Sequence, residues 1–274
     1  MERRLFLSAG AAALAAGFLP RPSLARPAST VGIQLYTVRR LMSSDASGTL
    51  AALAQIGYRE VELAGRYGLS PADFRKLLDA HGLVAPATHV SLGLVRNNLP
   101  QVLDDAAALG NHWVIVPSLD GPDRTPDGVR RAAETLNQAG LKAKERGLRM
   151  GYHNHEYEFR AVEGKSSFDV LLEQTDAGLV DFEMDLFWIR RGGADPLAYF
   201  NRYPGRFVAL HVKDMAQDGK MVNVGEGAID FAGIFAQADR AGVKHYFVEH
   251  DQPADPLNDV RVSFAAVQKL LRVE

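Results

Sequence analysis

Leu148-Arg149-Met150-Gly151-Tyr152-His153-Asn154-His155 passes from a largely apolar run to a pair of histidines within eight residues. Three later runs end in the same manner: Val180–Met184 in Asp185, Phe207–Leu210 in His211, and Tyr246–Val248 in Glu249-His250. Short, largely apolar runs of this kind read as parallel strands buried on both faces, with the polar residue placed where the strand emerges. In an eight-stranded α/β barrel the carboxyl ends of all strands meet around one mouth. Two histidines and two carboxylates gathered there suit a divalent first-row metal ion.

Working outward, the same alternation covers most of the chain. Strands are expected near Val31–Tyr36, Glu60–Leu63, Val84–His89, Trp113–Val116, Leu148–His153, Val180–Asp185, Phe207–Val212 and His245–Glu249. Helical patterns fall near Ala46–Ile56, Pro71–His81, Leu99–Leu109, Pro126–Arg146, Ser167–Thr175, Pro196–Asn201, Phe231–Ala241 and Asp255–Leu271. Gly57, Gly82, Gly110, Gly147 and Gly242 follow helical patterns as C-terminal caps, while Ser70-Pro71 and Thr125-Pro126 are N-terminal ones. Eight β–α units in series make the fold class α/β, a single closed (β/α)8 barrel. An open doubly wound sheet is the alternative, but no glycine-rich phosphate loop follows the first strand.

Residues 1–25 form a separate unit. Met1-Glu2-Arg3-Arg4 is a basic start, Leu5 to Leu19 an apolar stretch, and Ser23-Leu24-Ala25 resembles a cleavage site. Arg3-Arg4-Leu5-Phe6-Leu7 also resembles the twin-arginine export motif. The expectation is a periplasmic protein whose mature barrel runs from residue 26 to 274, with no stable membrane insertion after processing. Removing Arg3, Arg4, Arg21 and Glu2 leaves 28 basic against 32 acidic side chains, which gives no support for a nucleic-acid partner. The chain has no cysteine, so disulfides and thiolate metal sites are excluded, and any transition metal must sit on nitrogen and oxygen. Oligomerisation is left open.

Strand alternation puts His153 and His155 on one face, with Gly151 behind them making room inside the barrel. Either imidazole could bind a metal. Asp185 is a carboxylate set among apolar side chains, which is costly unless it is paired or metal-bound. Trp188 could supply an aromatic wall for a sugar ring. His211 and Lys213 share a face, and a lysine there could stabilise an oxyanion or enolate. Glu249 could act as a general base beside a polarised oxygen. Gln34, Glu62 and His89 stand at exits of the first three strands and are expected to face substrate. Gly225-Glu226-Gly227 is too weak a pattern to indicate a phosphate site.

Tyr152-His153-Asn154-His155-Glu156-Tyr157-Glu158-Phe159, Met184-Asp185-Leu186-Phe187-Trp188, His211-Val212-Lys213-Asp214-Met215, Val224 to Phe231 and Phe247-Val248-Glu249-His250 together resemble the xylose isomerase-like TIM-barrel superfamily. The resemblance is strongest to the sugar phosphate isomerase/epimerase branch. It implies one divalent ion, often manganese, held by Glu, Asp, His and Glu at the ends of strands five to eight. Three of these fall on Asp185, His211 and Glu249. The first falls on His153, a departure from the pattern, and Trp188 stands where the epimerases carry a substrate-binding histidine. With one glutamate replaced, His155, Glu158 or Lys213 would have to supply the second acid or base.

The resulting expectation is a metal-dependent enzyme acting on a small sugar or keto-sugar. His153, Asp185, His211 and Glu249 would hold the ion: manganese first, with cobalt, zinc or magnesium as alternatives. Glu249, His155, Glu158 and Lys213 would be catalytic, and Gln34, Glu62, His89 and Trp188 would bind substrate. Isomerisation or epimerisation is the leading chemistry, β-elimination from a keto-glycoside the runner-up, and a non-catalytic sugar-binding barrel the alternative from another class.

Overall fold

A computed structural model describes residues 30–162 and 164–272; the signal-like segment at residues 1–25 lies outside them. Eight strands, β1 (Val31–Gln34), β2 (Glu60–Leu63), β3 (Val84–His89), β4 (Trp113–Val116), β5 (Arg149–His153), β6 (Val180–Asp185), β7 (Phe207–Val212) and β8 (His245–Val248), follow one another around a closed barrel. Every neighbouring pair is parallel, and β1 closes on β8 through Val31↔Tyr246, Gly32↔Phe247 and Ile33↔Val248. The expected (β/α)8 barrel is therefore the fold. Two short hairpins, Ala161–Val162 with Lys165–Ser166 and Asp214–Met215 with Met221–Val222, are added to it. Among the described residues, no helix is long and apolar enough to cross a membrane.

Helix ends follow local chemistry. Ser70 and Thr125 each accept a backbone N–H three residues on, from Asp73 (3.1 Å) and Gly128 (3.1 Å), with proline at the first helical position. Gly110 and Gly242 close their helices in the left-handed conformation, at φ 79° and 92°. The helix expected from Leu99 instead begins at Leu92 and runs to Leu109. Ser91 caps it, and Leu92 and Val95 bury against the barrel, so the additional turn has an apolar face of its own. Pro100 cannot continue the ladder to Arg96, and the chain kinks at Asn98 (φ −147°, ψ 37°). The pattern expected over Phe231–Ala241 is likewise divided, into Phe231–Phe235 and Ala238–Ala241.

Strands buried on both faces serve two cores. Their outward side chains join the helices in one large apolar layer, including Ile33, Val61, Val114, Tyr152, Phe182, Leu210 and Tyr246. Inside the barrel the apolar filling is small: Ala87, Trp113, Ile115, Ala209 and Phe247, with Val208. At the amino-terminal end of the lumen, Asp181 accepts hydrogen bonds from Trp113 Nε1 (2.7 Å) and from the Arg149 guanidinium, whose Nη2 lies 2.9 Å from Oδ1. At the carboxyl end, the inward residues of β5 to β8 are polar.

Two glycines make the inner filling possible. A Cβ on Gly32 would lie 2.5 Å from the Phe247 ring, and one on Gly151 would lie 2.9 Å from Ile115 Cγ1. The space left at Gly151 is thus taken by Ile115. Replacing Gly151 with Val should overpack the lumen and cost about 1–3 kcal/mol. At this chain length that corresponds to a fall in Tm of roughly 2–12 °C by calorimetry. An unchanged Tm would show that the lumen has slack.

Candidate active site

β5 and β6 bring His153 and Asp185 together. His153 Nδ1 lies 3.1 Å from the Pro117 carbonyl oxygen, which can only accept, so the proton of a neutral imidazole sits on Nδ1. Its Nε2 is then a lone pair, and it faces Asp185 Oδ2 at 3.3 Å. Asn154 bridges the two strand exits: its Oδ1 accepts from Asp185 N (3.0 Å) and its Nδ2 donates to Asp185 O (3.3 Å). The other Asp185 oxygen, Oδ1, accepts from Trp188 N (2.8 Å) and caps the helix Leu186–Arg191. One carboxylate therefore starts a helix and faces the site.

β7 supplies His211 and Lys213 from one face. His211 is fully buried, with Nδ1 2.6 Å from Glu249 Oε2 and 3.8 Å from Asp185 Oδ2. Lys213 Nζ lies 2.9 Å from Asp185 Oδ2, 2.8 Å from Glu249 Oε2 and 2.7 Å from Asp251 Oδ1. Burial works against its charge, but the Asp185, Glu249 and Asp251 carboxylates overcome this and raise the amine's pKa well above the ordinary lysine value. Burial likewise works against an ionised Glu249, yet Lys213 and His211 hold it well below the usual carboxylate range. Asp251 is shifted upward, mainly by burial.

A second group lies deeper. Gln34 donates from Nε2 to Glu62 Oε2 (2.7 Å), and its Oε1 accepts from Tyr36 N (3.0 Å). Glu62 Oε2 also lies 2.6 Å from His211 Nε2 and 3.2 Å from His89 Nε2. Glu183, two residues before Asp185 and on the same strand face, meets His89 Nε2 and His211 Nε2, each at 2.9 Å. Burial alone would lower the His89 imidazole, but the Glu62 and Glu183 carboxylates hold its pKa at about 9. Sequence reading passed over Glu183 because it stood inside a run read as apolar strand. Its two-residue spacing from Asp185 was the available signal.

A cavity of about 400 Å³ opens at the carboxyl ends of the strands. Tyr36, His89, Pro117, His153, His155, Lys213, Glu249 and Asp251 are among those lining it. Burial first, then the neighbouring His153, lowers the His155 pKa to about 3, so its imidazole is neutral. Gln34, Glu62 and Glu158 do not line the cavity. Glu158 lies behind its wall, fully buried, accepting from Tyr152 Oη (2.6 Å) and His155 N (2.9 Å), where it positions the His155 backbone. Trp188 packs 5.5 Å from the His155 ring and lines a neighbouring cavity of about 500 Å³, which shares Asp251 with the first.

His153, Asp185, His211 and Glu249 each offer one donor atom, all within 4.8 Å of one another and all buried. His211 Nδ1 and Glu249 Oε2 approach closely, yet neither has a hydrogen-bond partner of acceptable geometry. Close approach without alignment, beside a lone pair of His153 turned towards a carboxylate, fits a shared cation better than a hydrogen-bonded set. Nitrogen and oxygen donors in equal number suit manganese, cobalt or zinc.

The Gly225-Glu226-Gly227 turn has a role that its sequence did not disclose. Asp214, directly after Lys213, accepts backbone N–H bonds from Met215 (2.8 Å), Gly225 (2.9 Å), Gly227 (3.0 Å) and Ile229 (3.2 Å). A Cβ on Gly227 would lie 2.2 Å from Asp214 Oδ1, so only glycine allows the approach. The loop is wrapped around a carboxylate of its own chain and fixes the exit of β7.

Residues 50–270 match the model of the xylose isomerase-like TIM barrel family. Inosose dehydratase of Lacticaseibacillus casei is 24% identical over 254 residues, covering 78% of this chain and 85% of that protein. The crystal structure of a sugar phosphate isomerase/epimerase from Parabacteroides distasonis superposes with a TM-score of 0.78 at 27% identity, covering 90% of this chain and 96% of the other. A structure of the IOLI protein with a bound zinc atom shares the fold at a TM-score of 0.72 and 13% identity, over 89% and 98% of the two chains.

Replacing Asp214 with Ala should strand several loop amides and cost roughly 3 kcal/mol in urea unfolding, with Asp214→Asn milder because its amide oxygen still accepts. A loss below about 0.5 kcal/mol, the range of ordinary surface substitutions, would show that the loop is held by other contacts.

Proposed function

Because the chain belongs to the xylose isomerase-like TIM barrel family, we propose that the barrel mouth is the active site of a divalent-metal enzyme that removes a proton from carbon in a small sugar or keto-sugar. The observation that supports this most directly is the His153 tautomer: with Nδ1 facing the Pro117 carbonyl, its free Nε2 faces Asp185 beside His211 and Glu249. These four residues would hold the ion. When bound, the ion would act as a Lewis acid, polarising a substrate oxygen so that the adjoining C–H becomes acidic. The bound zinc of the IOLI protein, which shares the fold, supports a divalent ion.

The chain's own groups divide the proton transfers. Glu249 is ionised and lines the cavity, so it is the base that receives the carbon-bound proton. Lys213, held as an ammonium 2.8 Å from Glu249, lines the cavity and would stabilise an oxygen on which negative charge develops. Neutral His155 offers a hydrogen-bonding ring at the wall.

Two outcomes share this first step. Return of the proton to the same or a neighbouring carbon is isomerisation or epimerisation, and the structural relative at 27% identity supports it. Loss of a neighbouring hydroxyl is dehydration. That reading is supported by the inosose dehydratase relatives and by Lys213 and Asp251, paired at 2.7 Å where a leaving hydroxyl could take a proton. His153 in place of a glutamate removes one of the two opposed carboxylates that symmetrical epimerisation would use, which weighs against that outcome and leaves isomerisation and dehydration.

Inosose and a 3-keto-glucoside, each incubated in deuterated water, separate the outcomes. Deuterium uptake with the carbon skeleton unchanged marks isomerisation, and loss of water from inosose or of the aglycone alcohol from the 3-keto-glucoside, with a new conjugated carbonyl absorbance, marks elimination. Chelation should stop either reaction and added Mn(II) or Co(II) should restore it. Glu249→Gln should slow exchange by about 10²–10⁴-fold with the circular dichroism spectrum unchanged. Binding of both compounds without any exchange would leave a sugar-binding barrel instead.

A further inference from the structure

We propose that the barrel holds a second cation one layer below the first, on Glu62, His89 and Glu183, with His211 linking the two positions. The inference rests on the reading above, in which His153, Asp185, His211 and Glu249 hold the first ion. Glu62 from β2, His89 from β3, Glu183 from β6 and His211 from β7 each direct one donor atom to a common region, all within 4.8 Å of one another. Two imidazole nitrogens and two carboxylate oxygens alternate around it, with separations of 2.6, 2.9, 2.9 and 3.2 Å. Donors about 2.0–2.2 Å from one ion lie roughly 2.8–3.1 Å apart at right angles and roughly 3.3–3.6 Å apart at tetrahedral angles, so His89 at 2.9 and 3.2 Å from the two carboxylates is placed to share an ion with them, while the 2.6 Å approach of His211 to Glu62 is a hydrogen bond.

Two independent observations point to a ligand rather than to a closed hydrogen-bonded set. Glu62 and Glu183 are fully buried, and each leaves its other oxygen, Oε1, without any hydrogen-bond partner. Such atoms are costly to bury, and a carboxylate bound to a cation through both oxygens removes the cost. The second observation is charge. Glu62, Glu183, Asp185, Glu249 and Asp251 belong to one network joined through His211 and Lys213, which contains one lysine. One dication with Lys213 offsets three of these five negative charges. His211, ligating the first ion through Nδ1 and donating its Nε2 proton to Glu62, is neutral and adds nothing further, and a charged His89 would supply one positive charge where two are needed. A second dication supplies both.

His211 is the element that joins the sites, since Nδ1 faces Asp185 and Glu249 while Nε2 faces Glu62 and Glu183. Its one ring spans the two layers. His89 lines the cavity and its side chain is 13% exposed, so it gives the lower position its approach from the mouth.

The test is a Co(II) titration of the full chain after removal of metal by a chelator, followed by d–d absorption and by the metal retained after desalting. Two equivalents are expected for the wild type. Glu183→Gln should retain one, and Asp185→Asn should retain one with a different spectrum. If Glu183→Gln does not fold, His89→Ala, at a partly exposed side chain, should show the same drop from two to one. A wild type that binds one equivalent, lost in Asp185→Asn and kept in Glu183→Gln, overturns the second position and leaves the first standing. Two equivalents that survive both Glu183→Gln and His89→Ala overturn it as well, and a wild type that binds none overturns both readings.

Discussion

Closing eight parallel strands forces every inward side chain at their carboxyl ends into one small space, and here that space receives a concentration of carboxylates. Glu62, Glu183, Asp185 and Glu249 are buried, and only Asp251 keeps appreciable contact with solvent. Ionised groups out of water are tolerated only when their partners are close and well placed. Lys213 and His211 are those partners, and both come from β7, two residues apart. The electrostatic centre of the molecule is therefore one strand end.

The lumen is layered along its axis. Asp181 with Trp113 and Arg149 closes the amino-terminal end, Ile115, Ala209 and Phe247 fill the middle, and the imidazole–carboxylate groups occupy the mouth. The apolar middle layer is thin, so most of the hydrophobic stabilisation comes from outside the barrel, where strands meet helices. That separation lets the mouth carry costly polar groups while folding is driven elsewhere. Fold and chemistry are largely decoupled in space, a general property of this architecture.

Strands were legible in the sequence because burial on both faces makes each one a short continuous run. β2, β3, β4, β6 and β7 have the bounds expected from their residues alone. The placement of His153, Asp185, His211 and Glu249 around one point follows from the same pattern, since each lies at the end of such a run. What escaped was set by tertiary structure. Glu183 is an acid within a run otherwise read as apolar, and only the barrel's closure shows that its face is the lumen. Glu158 stands in a histidine-rich motif yet points behind the cavity wall, because Tyr152 Oη and the His155 amide hold it there. The turn of helix before Asn98 was obscured by Pro100, which permits a helix on either side of a kink.

Asp214 has a consequence for how the end of β7 is held. Glycine-rich turns with several inward amides often grip phosphoryl groups, and this one sits directly after the strand that carries His211 and Lys213. Here a tethered carboxylate already fills the turn, at an effective concentration that no free oxyanion can match. The amides of the turn are thus satisfied from within the chain, so the strand end that carries His211 and Lys213 keeps its shape whether or not an anion is present.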